Sequence, residues 1–204
     1  MANLTNAYPY WLRLWHSVNG ILVLTLVITG LMMQYASPVK MEISLATIIF
    51  VHNFCGIFLI FSWVFFILSN GLSKNGSYYW PKMVIFKESI VQFRYYAYGM
   101  FKGEPKPFKD ATRKFNPLQQ FAYWSVMYLI APVMVITGFI MYNIERLLID
   151  EKSIFIYQVC DFIHLCAAFM ISVFLVIHLY LAFMEGISNF KKIIFKTKTY
   201  EEND

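Results

Sequence analysis

The chain has 204 residues, 59% of them hydrophobic, 19% aromatic and only 14% charged, with a mean hydropathy of +0.54 and a formal net charge of +5. An ordinary globular domain is about 45–50% apolar and about 25% charged, so this is a membrane composition, and no stretch of normal size is left for a soluble catalytic domain. The three cysteines, Cys55, Cys160 and Cys166, lie in or beside apolar runs without CxxC spacing, and read as small buried residues rather than a disulfide framework, a zinc site or a covalent haem attachment.

The N-terminal stretch MANLTNAYPYWLRLWHSVNG has no basic leader, and its apolar run continues past any small-residue cleavage site, so a cleavable signal peptide is not expected. A spanning helix needs about 20 mostly apolar residues. The first such run covers residues 11–35 and carries Arg13 and His16; the second covers 43–69 and carries His52. Only Lys40 lies between them as a basic residue.

The connection 70–117 is long enough to need an account of its own. It opens with GLSKNGSYYWP, in which Pro81 suits the first position of a helix. Residues 82–100, KMVIFKESIVQFRYYAYGM, mix apolar, aromatic and basic side chains without a run long enough to span. They predict an interfacial helix lying on the cytoplasmic leaflet. KGEPKPFKD then interrupts with two prolines, and RKFNPLQQ leads into the third span, 118–142. The fourth span, 154–184, contains HLCAAFMISVFLVIH, with His164 and His178 at its two ends. Trp11, Trp15, Tyr35, Tyr123, Trp124 and Tyr142 stand near span ends, as interfacial aromatic anchors do.

Basic charge is distributed unevenly. The 70–117 connection carries Lys74, Lys82, Lys87, Arg94, Lys102, Lys106, Lys109, Arg113 and Lys114, and the tail adds Lys191, Lys192, Lys196 and Lys198. The 143–153 connection has only Arg146 and Lys152 among three acidic residues. The positive-inside rule therefore puts both termini and the 70–117 connection in the cytoplasm. Contact with anionic lipid accounts for the surplus, and nucleic-acid binding is not invoked. The expected architecture is an all-α membrane protein: a four-transmembrane-helix bundle, one domain over 1–204, with the interfacial helix between spans two and three. A faint repeat runs through it. VITGLMM (27–33) in span one is matched by VITGFIM (135–141) in span three, and each is followed by a span with a histidine near its start. Words this short and apolar also recur by chance.

All four histidines of the chain fall within spans, where ionisable residues are rare and usually functional. A lone one would read as an interhelical hydrogen-bonder. Together they fall on two levels. At 1.5 Å per residue, His16 and His178 share a depth near the cytoplasmic side, His52 and His164 share one nearer the outer side, and the levels are about 21 Å apart. Fourteen residues at about 100° each come within roughly 40° of whole turns, so His164 and His178 issue from nearly one face of span four. Each pair suits haem, because the porphyrin supplies four nitrogens and two axial histidines complete the iron. A structural zinc would want four ligands, and no Cys, Asp or Glu is expected to complete the set at either level. Each histidine is followed four residues later by a small residue, Gly20, Gly56, Ala168 and Ala182. This clears the helix face for a macrocycle, although close helix packing favours the same residues.

The segments YPYWLRLWHSVNG with its VITG, VHNFCGIF, RYYAYGMFKGEPKPF with KFNPLQQFAYW, and the paired histidines of span four resemble the di-haem cytochrome b subunits of respiratory complexes. These serve thiosulfate reductases, membrane-bound hydrogenases and formate dehydrogenases, and the likeness is nearest to the thiosulfate-reductase type. It covers nearly the whole chain. The resemblance implies two haem b groups, the inner on His16 and His178 and the outer on His52 and His164. It also implies a quinone site near the inner haem, for menaquinone or ubiquinone, approached by Lys114–Gln119, with Asn116 and Gln119 as candidate contacts. Asn116 equally suits an N-cap with Pro117 after it. Arg13, one turn from His16, could pair with a haem propionate or with phospholipid.

The implied role is an electron-transfer subunit of an oxidoreductase in the bacterial cytoplasmic membrane. Its partners would be an iron–sulfur subunit and a catalytic subunit, molybdopterin among the cofactors that subunit could carry, or else a multihaem cytochrome c. Substrate catalysis would lie on the partner. The rival reading is a haem-free four-helix transporter or membrane anchor whose histidines bind protons or a metal.

Overall fold

The computed structural model describes residues 10–35, 42–73, 76, 78–80, 84–108, 115–143 and 151–184. Among these there are five principal helices and no strand: α1 (Tyr10–Tyr35), α2 (Leu45–Leu72), α3 (Ile85–Ala97), α4 (Pro117–Tyr142) and α5 (Glu151–Met184). All but α3 are long and apolar enough to cross a membrane. The four spans thus fall within a few residues of their expected limits. α2 runs past its expected end at Ser69 because Asn70 does not break the helix. The Asn70 amide, almost wholly buried, donates to the Phe66 carbonyl one turn earlier at 2.9 Å.

The chain divides into two compact units, Met1–Val64 with Val133–Asp204, and Phe65–Pro132. In the first, large apolar side chains point outward while hydroxyls point inward. Phe61, Phe169 and Phe183 are 69%, 71% and 72% exposed, whereas Thr29 and Thr137 are 8% and 6% exposed. Water would reverse this arrangement; lipid, as apolar as the side chains themselves, stabilises it, and polar groups join the helices instead. Trp15 Nε1 donates to the Ser62 carbonyl at 2.9 Å. Asn19 Nδ2 donates to Ser62 Oγ at 2.5 Å and to the Trp15 carbonyl at 2.7 Å. These bonds join α1 to α2 beside His16.

In the second unit α3 packs on the beginning of α4. Tyr79, Phe115 and Tyr123 form an aromatic cluster there, with ring centres 4.9 to 6.1 Å apart. α3 is shorter than the expected 82–100: Tyr98 leaves the helical conformation, a 3-10 turn covers Gly99–Lys102, and Gly103 closes it at φ 72°. That left-handed conformation suits glycine. The proposed position of Pro81 at the helix start, and the basic residues Lys40, Lys114, Arg146, Lys191, Lys192, Lys196 and Lys198, lie outside the described residues.

α4 carries a feature that the apolar pattern did not announce. Residues Val126–Ile130 form a π-turn, in which the Ala131 N–H reaches back five residues to the Val126 carbonyl. Pro132 explains it. Proline has no N–H to give to the carbonyl four residues back, and its ring crowds that carbonyl, so the helix widens by one residue.

Candidate functional site

The first unit brings the inner histidines together. The His16 ring on α1 and the His178 ring on α5 have centres 6.1 Å apart, tilted by 54°. Two imidazoles that share one iron, each with its nitrogen about 2 Å from the metal, have ring centres about 6 Å apart. The observed spacing therefore fits an iron between them. Phe174, one turn before His178 on α5, stacks on its ring at 5.5 Å and 19° and fixes its plane.

His52 lies on α2 and His164 on α5. Each is held by a threonine of a neighbouring helix. Thr29 Oγ1 on α1 lies 2.9 Å from His52 Nδ1, and Thr137 Oγ1 on α4 lies 2.8 Å from His164 Nδ1. The following glycines make room for the rings: a Cβ at Gly30 would sit 3.6 Å from His52 Cε1, and one at Gly138 would sit 3.3 Å from His164 Cε1. Neither threonine nor either glycine was among the expected site residues. The available signal was the VITG repeat, whose two copies are these four residues with the preceding Val and Ile.

The small residues after the histidines test the two readings given to them. Close helix packing would put neighbouring atoms against an added Cβ, but at Gly20 and at Gly56 such a Cβ meets nothing within 4 Å. That is a cradle suited to a flat cofactor rather than a helix crossing. Ala168 and Ala182 are only partly exposed on α5. Arg13 stacks on the Tyr10 ring at 5.8 Å, and its Nε is buried without a hydrogen-bond partner. A buried guanidinium nitrogen in that condition suits an anionic group such as a propionate. Among the described residues no group of three or more His, Cys, Asp or Glu gathers to hold a bare metal ion. A porphyrin asks for only two.

In the second unit, Asn116 and Gln119 form a complete capping box. Asn116 Oδ1 accepts the Gln119 N–H at 2.8 Å, and Gln119 Oε1 accepts the Asn116 N–H at 3.2 Å. Asn116 Nδ2 also donates to the Tyr96 hydroxyl of α3 at 3.0 Å. The helix-start role is thus occupied by the Asn116 and Gln119 side chains. One turn before Tyr96, Gln92 is fully buried, and both polar atoms of its amide lack a hydrogen-bond partner, as does Ser89 Oγ. Sequence alone did not single out this seam, because Ser89 and Gln92 sit in a segment rich in other polar residues.

A family model described as prokaryotic cytochrome b561 matches residues 7–196. The chain is also similar to the protein named "Putative cytochrome YdhU" of Escherichia coli (strain K12), at 36% identity over 133 residues, 64% of this chain and 50% of that protein. The matched stretch thus spans about half the length of that relative. No solved structure matches the chain.

Proposed function

The chain belongs to the prokaryotic cytochrome b561 family, a haem b-containing electron-transfer cytochrome of the bacterial membrane, and from that premise we propose that it is a di-haem conduit. His16 and His178 hold the inner haem, and His52 and His164 hold the outer one. The observation that carries this reading is the 6.1 Å spacing of the His16 and His178 rings, matched to one shared iron. The haem iron supplies the one-electron chemistry.

The chain's own residues fix the two levels on one long helix, α5, and set the ligand rings. They also clear the porphyrin faces with Gly20, Gly56, Ala168 and Ala182, and pair Arg13 with a propionate. Apolar side chains around both levels exclude water and so hold the potentials apart from their aqueous values.

Quinone chemistry belongs to the cytoplasmic side. Gln119 Nε2 and the unpaired buried atoms of Gln92 and Ser89 supply hydrogen-bonding groups for a quinone ring, with Asn116 fixing the segment. The cytoplasmic placement rests on the basic 70–117 connection. The exposed apolar stripe of α3, Phe86, Ile90 and Phe93, supports its lying on the leaflet. On the outer side an iron–sulfur subunit of a larger oxidoreductase exchanges the electrons. Both connections proposed to face that side, 36–42 and 143–153, are too short to hold a catalytic domain.

The test is reduction of the purified protein in liposomes by a menaquinol analogue. The reading requires a b-type α-band to develop, followed by reduction of an impermeant acceptor on the outer side. A protein that binds haem but takes no electrons from quinol would overturn the quinone assignment. One that binds none would favour the haem-free transporter or anchor.

A further inference from the structure

The hydroxyl of Thr29 has one proton, and so has that of Thr137. Each oxygen lies 2.7 Å from a backbone carbonyl one turn earlier, that of Thr25 for Thr29 and of Val133 for Thr137. A carbonyl oxygen can only accept, so both protons are committed to those bonds. Towards histidine each threonine oxygen is therefore an acceptor. It follows that Nδ1 of His52 and of His164 carries the hydrogen and donates it at 2.9 and 2.8 Å. The neutral imidazole then has its free lone pair on Nε2.

The same local chemistry occurs twice, on different helices and with different partners. Both threonines are nearly buried, at 8% and 6% exposure, so water does not compete for the Nδ1–H. The glycine after each threonine admits the imidazole edge, with Cε1 3.6 Å from an added Cβ in one copy and 3.3 Å in the other. The VITG word is thus a duplicated device for seating a histidine of the next span.

We infer that Thr29 and Thr137 are paired positioning residues for the outer haem, fixing His52 and His164 in the Nδ1–H form that leaves Nε2 for iron. This rests on the di-haem reading above. A ligand whose second nitrogen donates a hydrogen bond is more basic at its metal-binding nitrogen. A more basic pair of ligands favours the ferric state, so these bonds hold the outer haem's potential down. Among the described residues no threonine is bonded to His16 or His178, and His178 is oriented by Phe174 instead.

The experiment is spectroelectrochemical titration of the full-length, haem-loaded protein and of Thr29→Val, Thr137→Val, Thr29→Ser and Thr137→Ser. The outer wave is identified as the one missing in His52→Ala. Each valine variant should shift the outer haem's ferric-to-ferrous ratio about tenfold towards ferrous, which is about 59 mV upward for a one-electron couple. The inner wave should stay in place, and the serine variants should keep the wild-type value. Loss of the outer haem alone in a valine variant, restored by serine, supports the same role. The two valine variants lie on separate helices, so either one decides if the other does not fold.

An unshifted outer wave in a valine variant that retains both haems would overturn the inference and leave the di-haem reading standing. Equal shifts of both waves would do the same, as would serine variants that behave like valine. A wild-type protein with fewer than two haems by pyridine haemochrome overturns both.

Discussion

His178 is set by an aromatic ring on its own helix, while His52 and His164 are set by hydroxyls from neighbouring helices. The four histidines were legible in the sequence because an imidazole in a span is rare and because position along a helix converts directly into depth. The threonines were not. A threonine in an apolar helix ordinarily bonds to its own backbone, as these two also do, and nothing in its spacing says that a histidine 23 or 27 residues later will meet it. The glycines at 20 and 56 were ambiguous for a similar reason, since clearance and close packing select the same residue. The open space beside both supports the clearance reading. Gly20→Leu and Gly56→Leu are therefore expected to fold as stably as the wild type in detergent unfolding. They should lose the neighbouring haem's occupancy by about tenfold, the loss typical of outer-shell changes at metal sites. Full occupancy in the leucine variants would return these glycines to an ordinary packing role.

At the scale of the element, length and hydropathy located the four spans, because lipid imposes both on any helix that crosses it. What they did not locate was the π-turn at Val126–Ile130. Pro132 was visible, but whether a proline kinks, ends or widens a helix depends on how the freed carbonyl is satisfied. The turn takes in one residue more than an α-helical turn at that point, which is about 100° of helix rotation. α3 was legible as a helix and mistaken in extent, since Tyr98 and Gly103 close the segment through conformations that no apolar pattern encodes. Its buried face carries Ser89 and Gln92 while Phe86, Ile90 and Phe93 are exposed, at 51%, 69% and 62%. For a helix on lipid that arrangement is the stable one. A spin label at Ile90→Cys should accordingly be relaxed more by oxygen, which concentrates in lipid, than by a water-soluble nickel chelate. The opposite ranking would place this face in water.

Over the whole molecule, the organising element is α5, which carries one histidine for each level. The duplicated VITG words extend that logic to the two helix pairs, α1 with α2 and α4 with α5. In each pair the first helix seats a histidine of the second. Substrate, partner and direction of electron flow belong to potentials and surfaces outside such a bundle, which is why residue patterns inside it point to a conduit and not to a particular reaction. The central claim is that the chain binds two b-type haems on two histidine pairs. Pyridine haemochrome quantitation against protein concentration tests it most directly, on the wild type and on His178→Ala. Two haems per wild-type chain are expected, with the inner haem absent from the variant. One haem or none in the wild type, or two in His178→Ala, would contradict it.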